Sequence, residues 1–333
     1  MMKNSYSKNQ ACKLQAGAKI VGKWHSQPYK IIRPLGAGAT GSVYLADSAK
    51  GLVALKVGMD SMSITSEVNV LKHFSKVQGQ ILGPSLLDVD DLVTSEGTFP
   101  FYVMEYLKGT QFIEYMQNKG TEWLGILMIQ LLGDLDRLHA AGWVFGDLKP
   151  DNVLVVGPPA RIRWLDVGGT TLIGRSIKEY TEFYDRGYWG QGSRKAEPSY
   201  DLFAVAMMMI NCAYPNRFEK QGEKPLLQLK QRMDEKAMLI PYRDVMLRAM
   251  QGKYQSAIEM RKDMVKAVSK SSSYKHIPAK ETRKQKTKKN QVNVSRKQGA
   301  TKKEKKSSYF VEIFLLSSFL LLAYILYLFG QMM

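Results

Sequence analysis

The chain has 333 residues, enough for two or three domains at roughly 100–200 residues each. Hydrophobic residues make up 45% and charged residues 23%, an ordinary globular balance that excludes wholesale disorder and collagen-like structure. Two cysteines, Cys12 and Cys212, exclude a disulfide framework and a four-cysteine zinc site, whereas 48 Lys and Arg against 30 Asp and Glu, a net +18, point to a polyanionic partner.

Residues 1–27 read as a basic N-terminal extension, polar and without the apolar stretch of a secretory signal. Residues 28–268 carry a globular pattern. Short β-rich runs come first, at Ile31-Ile32, from Ser42 to Ala46, from Leu52 to Val57 and from Phe101 to Met104. A helical period follows, with Leu124, Leu127, Leu131, Leu132, Leu135 and Leu138 in one long segment. Strands first and helices later predict an α+β fold in two lobes, divided near 107/108. Residues 269–308 form a basic arm. From Lys270 to Lys306 there are 14 basic residues against two acids, so most of the net charge sits here. With so few apolar residues the arm is expected to be disordered, spanning roughly 30–36 Å. Residues 309–330 are apolar on every face, with Glu312 as the one charge. A bilayer core needs about 20 such residues, and a soluble core helix is usually amphipathic instead. A transmembrane helix is therefore expected, with the lysine-rich flank and globular part cytoplasmic and the C-terminus outside.

Four motifs carry chemistry. Gly36-Ala37-Gly38-Ala39-Thr40-Gly41-Ser42-Val43 fits G-x-G-x-x-G-x-V. Alternating Val43 and Leu45 follow, so the glycines sit in a hairpin rather than before a helix, where their backbone can approach phosphates. Lys56 ends an apolar strand fifteen residues past Gly41. Asp147-Leu148-Lys149-Pro150-Asp151-Asn152 precedes a second apolar run, and Leu165-Asp166-Val167-Gly168 ends a third. In this order and spacing the four motifs resemble the protein kinases, specifically the bacterial Hanks-type Ser/Thr kinases, over about residues 28–268.

The resemblance implies an ATP- and Mg²⁺-dependent transfer to Ser/Thr hydroxyls of protein substrates, a reaction governed by positioning and charge neutralisation. It assigns Gly36, Gly38 and Gly41 to the phosphates, Lys56 to the α/β-phosphates, and Val43 and Ala54 to adenine. Glu105 and Leu107 fall in the hinge that also meets the nucleotide. Asp166 and Asn152 are implied Mg²⁺ ligands, Asp147 the residue that takes the acceptor's proton, and Lys149 the neutraliser of the moving phosphoryl group. Asp201 resembles the aspartate that braces the catalytic loop. Lys56 needs an acidic partner, and only Asp60 and Glu67 lie before residue 80. Glu67 shares a helical face with Val70, Leu71 and Phe74, so Glu67 is the expected partner.

Three departures stand out. Phe145-Gly146 replaces the usual His-Arg, Val167 replaces the phenylalanine after the metal-binding aspartate, and Ala196-Glu197-Pro198 is a scrambled and displaced closing motif. Thr170, Thr171, Ser176 and Thr181 are candidate autophosphorylation sites. The four histidines show no ligand spacing, and Met207-Met208-Met209 reads as core.

The layout of kinase, basic segment and terminal anchor resembles the short membrane-anchored kinases of spore-forming bacteria. That implies sequence-independent DNA binding by the arm, stimulation and self-association on DNA, and a role in spore development; contacts to phosphates alone suffice for such binding. Anionic lipid is the competing partner of the arm. The rival function is a catalytically silent kinase fold tethering DNA or lipid to the membrane. The intact set Lys56, Asp147, Asn152 and Asp166 favours an active enzyme.

Overall fold

A computed structural model describes residues 14–38, 40–76 and 82–275, with side chains described as far as residue 270. The chain divides into two compact units, 1–278 and 279–333. The second unit, and with it the expected transmembrane segment and most of the basic arm, lies outside the described residues. Among the described residues no helix is long and apolar enough to cross a membrane.

The N-terminal lobe holds β1 (Lys19–Val21), β2 (Pro28–Gly38), β3 (Gly41–Ser48), β4 (Gly51–Gly58), α1 (Ser61–Phe74), β5 (Leu86–Thr94) and β6 (Gly97–Glu105). The six strands form one sheet in the order β1-β2-β3-β4-β6-β5, antiparallel throughout. Strand side chains alternate between faces, and the sequence uses both. Val53, Leu55 and Val57 of β4 join Phe101 and Val103 of β6 in a small core on one face. Ala54, Tyr102 and Met104 face the main core with α1. The register pairs Lys56 with Tyr102 and Ala54 with Met104, so these four residues share the face that becomes the roof of the cleft.

The lobe begins earlier than residue 28. Strand β1 pairs with β2 and buries Ile20. Lys23 N–H then donates to Asp91 O at 2.9 Å. The buried Asp90 carboxylate accepts from Trp24 N–H and His25 N–H, both at 2.8 Å. A Cβ on Gly22 would lie 2.2 Å from Asp90 Oδ2, so only glycine permits this approach. The residues expected to be a mere extension thus tie one edge of the sheet to β5 at the other. Three residues of strand in a lysine-bearing polar stretch give too short an alternation to show in the sequence.

The C-terminal lobe follows as β7 (Thr110–Gln111), α2 (Phe112–Gln117), α3 (Thr121–Ala140), β8 (Trp143–Val144), β9 (Val153–Val156), β10 (Arg161–Trp164), β11 (Thr171–Leu172), α4 (Pro198–Ala213), α5 (Pro225–Asp234), α6 (Arg243–Met250) and α7 (Ala257–Lys275). The leucines of the predicted long helix are all buried on α3. Helix α4 is buried along most of its length, and Met207, Met208 and Met209 are core, as their sequence context implies. Helix α7 packs on α3. A Cβ on Gly125 would come within 2.3 Å of Val268 Cγ2, so this glycine sets the close approach. Helix α7 also continues to Lys275, past the point where the arm was expected to begin. In Ala196-Glu197-Pro198, Glu197 stands at the N-cap position of α4 without a side-chain capping bond, its carboxylate held by Arg186, and Pro198 is the first helical residue, where a missing N–H costs nothing.

Candidate active site

Between the lobes lies a cleft of about 660 Å³. Val43, Ala54, Leu107 and Leu154 supply apolar lining, and Lys56, Asp147, Lys149, Asn152 and Asp166 supply polar groups. Every residue of the sequence-derived set except Glu67 lines it, and Glu67 stands directly behind. Lys56 Nζ lies 2.7 Å from Glu67 Oε2 and 2.8 Å from Oε1, with both side chains almost fully buried. Helix geometry explains the choice of partner. Glu67 lies on the buried face of α1 with Ile64, Val68, Leu71 and Phe74. Asp60, the alternative, is instead the N-cap of α1 and accepts from Ser63 N–H at 2.8 Å. Tyr102, opposite Lys56 in the register, donates its hydroxyl to Glu67 Oε2 at 2.8 Å. Burial foremost, and then the Glu67 and Asp166 carboxylates, push the Tyr102 phenol well above its ordinary range, which keeps it a donor.

The glycines of the hairpin divide in function. A Cβ at Gly36 or Gly38 would meet no atom within 4 Å, whereas one at Gly41 would lie 2.2 Å from Val57 O. The first two leave room over the cleft, and the third lets β3 close on β4. In the hinge, the Glu105 carboxylate is turned to structural use. It accepts from Arg163 Nη2 at 2.9 Å and from Ser85 N–H and Oγ at 3.2 Å. Partial burial would raise the Glu105 pKa, but the Arg163 bond and the Ser85 donors hold it below its ordinary value.

Asp147 sits between β8 and the 3₁₀ turn Pro150–Asn152. Lys149 Nζ donates to Asp147 Oδ2 at 2.5 Å and to Thr181 Oγ1 at 3.1 Å, and Thr181 donates to Asp147 Oδ1 at 3.2 Å. Asn152 Nδ2 donates to Asp147 O at 2.9 Å. Asp166 is exposed to the cleft and accepts from Gly168 N–H at 2.8 Å. The loop is braced from beneath by Asp201 of α4. Its wholly buried carboxylate accepts from Phe145 N–H at 2.8 Å and Gly146 N–H at 3.0 Å, with His139 Nε2 at 2.9 Å. The sequence alone pointed to no partner for His139. Its role arises because the end of α3 meets α4 sixty-two residues later.

Gly146, where an arginine is usual, has a local cause. Its φ is +83°, and a Cβ there would lie 2.6 Å from Gly169 O. Gly146→Ala is expected to cost about 1–3 kcal/mol through this strain and to lower turnover by tilting Asp147. Thermal melting and a kinase assay on the same preparation check it; unchanged values in both would contradict the steric reading.

The activation segment is held without that arginine. Lys178 Nζ donates to Ser66 Oγ on α1 and to Thr170 O, both at 3.1 Å. Thr170 and Thr171 are buried, and Thr171 donates to Gly169 O. As placed, neither hydroxyl is open to phosphorylation, and Thr181 is engaged at Asp147. Glu179 is a further cleft residue that sequence patterning gave no reason to single out. Desolvation and the neighbouring Asp166 and Asp147 carboxylates raise its pKa.

The sequence matches a protein kinase domain model over residues 29–286. It is 48% identical over 336 residues to the serine/threonine-protein kinase YabT of Bacillus subtilis (strain 168), covering 98% of this chain and 99% of that one. A shorter similarity, 24% over 144 residues, links 41% of this chain to 24% of the cAMP-dependent protein kinase catalytic subunit 3 of Drosophila melanogaster. The Mycobacterium tuberculosis PknI kinase domain superposes with a TM-score of 0.54 at 20% identity, covering 77% of this chain and 100% of that domain. That superposition speaks to the fold.

Proposed function

Because the chain belongs to the protein kinase family and is a serine/threonine-protein kinase, we propose that its cleft binds Mg-ATP and passes the γ-phosphoryl group to protein hydroxyls, with Asp147 receiving the acceptor's proton. The observation that carries this is the convergence of Lys149, Thr181 and Asn152 on one aspartate, below a buried Lys56–Glu67 pair. Lys149 and Thr181 fix the carboxylate, so an acceptor hydroxyl meets an oriented base. Lys149 also places positive charge where the transferring phosphoryl group passes. Lys56, anchored by Glu67, is positioned for the α/β-phosphates, with Gly36 and Gly38 leaving room above them.

The donor set suits Mg²⁺, which prefers hard oxygen ligands. Asn152 spends its amide nitrogen on Asp147, leaving its carbonyl oxygen free to bind metal, and the exposed Asp166 carboxylate stands beside it in the same cleft. A bound Mg²⁺ would neutralise phosphate charge there. Labelled ATP supplied to purified full-length protein should give Mg²⁺-dependent autophosphorylation that EDTA abolishes. No transfer to self or to a generic protein substrate would count against the assignment.

The further reading is of a kinase anchored in the membrane by residues 309–330, facing the cytoplasm and stimulated by DNA on the arm from Lys270 to Lys306, with DNA-maintenance proteins as substrates during spore development. The arm's charge supports it: fourteen basic residues in 37 exceed what orienting an anchor requires. If 6–10 phosphates are neutralised, log K should fall with log[salt] at a slope of roughly −5 to −9. Stimulation should peak at moderate DNA and decline in large excess, as molecules spread over separate strands. Replacing the arm's Lys and Arg by Gln should abolish the stimulation and spare basal activity. A flat DNA titration with clear stimulation by anionic vesicles would assign the arm to lipid.

A further inference from the structure

Every hydroxyl residue between Glu281 and Lys306 is followed directly by two basic residues: Thr282-Arg283-Lys284, Thr287-Lys288-Lys289, Ser295-Arg296-Lys297 and Thr301-Lys302-Lys303. The residues before these hydroxyls are Glu281, Lys286, Val294 and Ala300, so the cations follow rather than surround them. Elsewhere in the chain the pattern occurs once, at Ser193, where Arg194 is paired with Asp185. Orienting an anchor and neutralising phosphates both act through summed charge. Neither asks for an order of charges about a hydroxyl, so the order is a separate feature of the arm.

The cleft has a matching surplus of negative charge. Of its lining carboxylates, Glu105, Asp147 and Asp151 are paired with Arg163, Lys149 and Arg217, and Asp166 is the residue assigned above to Mg²⁺. Glu114 and Glu179 have no ion pair among the described residues, and Glu179 is the one beside the base. It is exposed in the cleft. Desolvation and then the Asp166 and Asp147 carboxylates raise its pKa, which marks a place short of positive charge. Thr181, two residues on, donates to Asp147 Oδ1 at 3.2 Å, so this stretch of chain runs alongside Asp147. Consecutive Cα atoms are about 3.8 Å apart, so the side chain that follows an acceptor hydroxyl held at Asp147 comes within reach of Glu179.

We propose that the cleft selects Ser and Thr hydroxyls followed directly by two basic residues, that Glu179 reads the first of the two, and that the four repeats of the arm are substrates of this class. The proposal rests on the kinase reading above. In each transfer the acceptor Oγ forms a bond to the γ-phosphorus of ATP. The bond from that phosphorus to the β–γ bridging oxygen breaks, ADP leaves, and the hydroxyl proton passes to Asp147. The Lys or Arg after the acceptor makes a charge-assisted hydrogen bond to the Glu179 carboxylate. Negative charge on the bound nucleotide adds to the attraction and disfavours an acidic side chain at the same place. Each transfer adds about −1.5 to −2 charges at pH 7. Four of them would take the stretch from Lys270 to Lys306, fourteen basic residues less two acids and so +12, to roughly +4 to +6. The enzyme thus carries the means to weaken the charge that its own arm presents to a polyanion.

The test uses full-length protein in detergent, Mg-ATP and two synthetic peptides. One has the sequence of residues 281–303. The other has the same composition and net charge, with each basic pair moved to precede its hydroxyl. The natural order should be phosphorylated with a kcat/KM about tenfold higher, the scale of one hydrogen bond between charged groups. Glu179→Gln should shrink that ratio to about twofold or less, and Glu179→Asp should keep most of it. Site mapping on the full-length protein should place phosphate on Thr282, Thr287, Ser295 or Thr301. Equal kcat/KM for the two orders, an undiminished ratio in Glu179→Gln, or an arm free of phosphate overturns the proposal. If a generic protein substrate is phosphorylated and neither peptide is, the proposal fails and the kinase reading stands. If no substrate is phosphorylated, the kinase reading fails with it.

Discussion

Asp147→Asn should lower kcat by about 10²–10³-fold, the usual cost of removing one preorganised group that acts on the transition state, with the melting temperature held within about 2 °C. The amide keeps the size of the carboxylate and still has an oxygen for Lys149 or Thr181, but it cannot receive a proton. The loop does not depend on the lost charge, because Asp201 holds Phe145 and Gly146 by their main-chain N–H groups. The KM for ATP should change little, since the residue meets the acceptor rather than the nucleotide. A folded Asp147→Asn enzyme with wild-type turnover would remove Asp147 from the chemistry.

Lys56→Ala should lose activity on a similar scale and also destabilise the fold. Glu67 is buried, and after the substitution its carboxylate would keep only the Tyr102 hydroxyl. Leaving one member of a buried pair without its partner typically costs about 3–5 kcal/mol. In a domain of this size that lowers the melting temperature by roughly 6–15 °C. A double variant separates the two effects. Lys56→Met with Glu67→Leu removes both charges, so it should recover much of the stability and none of the activity. If Lys56→Ala melts like the parent, the buried pair contributes less than its geometry implies.

The residues legible from sequence were those whose chemistry dictates both type and spacing. Lys56, Asp147, Asn152 and Asp166 each follow an apolar run or turn that delivers them to the cleft, and the pattern is written locally. Glu67 was legible because a helix puts residues three and four apart on one face. The roles that sequence did not show are played across the fold. Tyr102 reads as one more apolar position in β6, and only the β4–β6 register places its hydroxyl at Glu67. His139 and Thr181 owe their roles to contacts with Asp201 and Asp147, far away along the chain. Glu105 lines the cleft, but nothing local shows that Arg163 claims its carboxylate.

The closure of the N-terminal sheet also sets an order of events during synthesis. Lys19–Val21 leaves the ribosome early, yet the acceptors for Trp24 and His25 lie on Asp90, 66 and 65 residues further on. At roughly 5–20 residues per second, those partners follow after about 3–13 s. During that interval the nascent lobe has two unjoined sheet edges, and long-range pairing of this kind is slow to form. Lys19, Lys23 and Lys30, on or beside the waiting strands, place charge along that edge, a known protection against pairing with another chain. A slow translating stretch just after β6 would therefore favour a closed lobe before the helical lobe emerges.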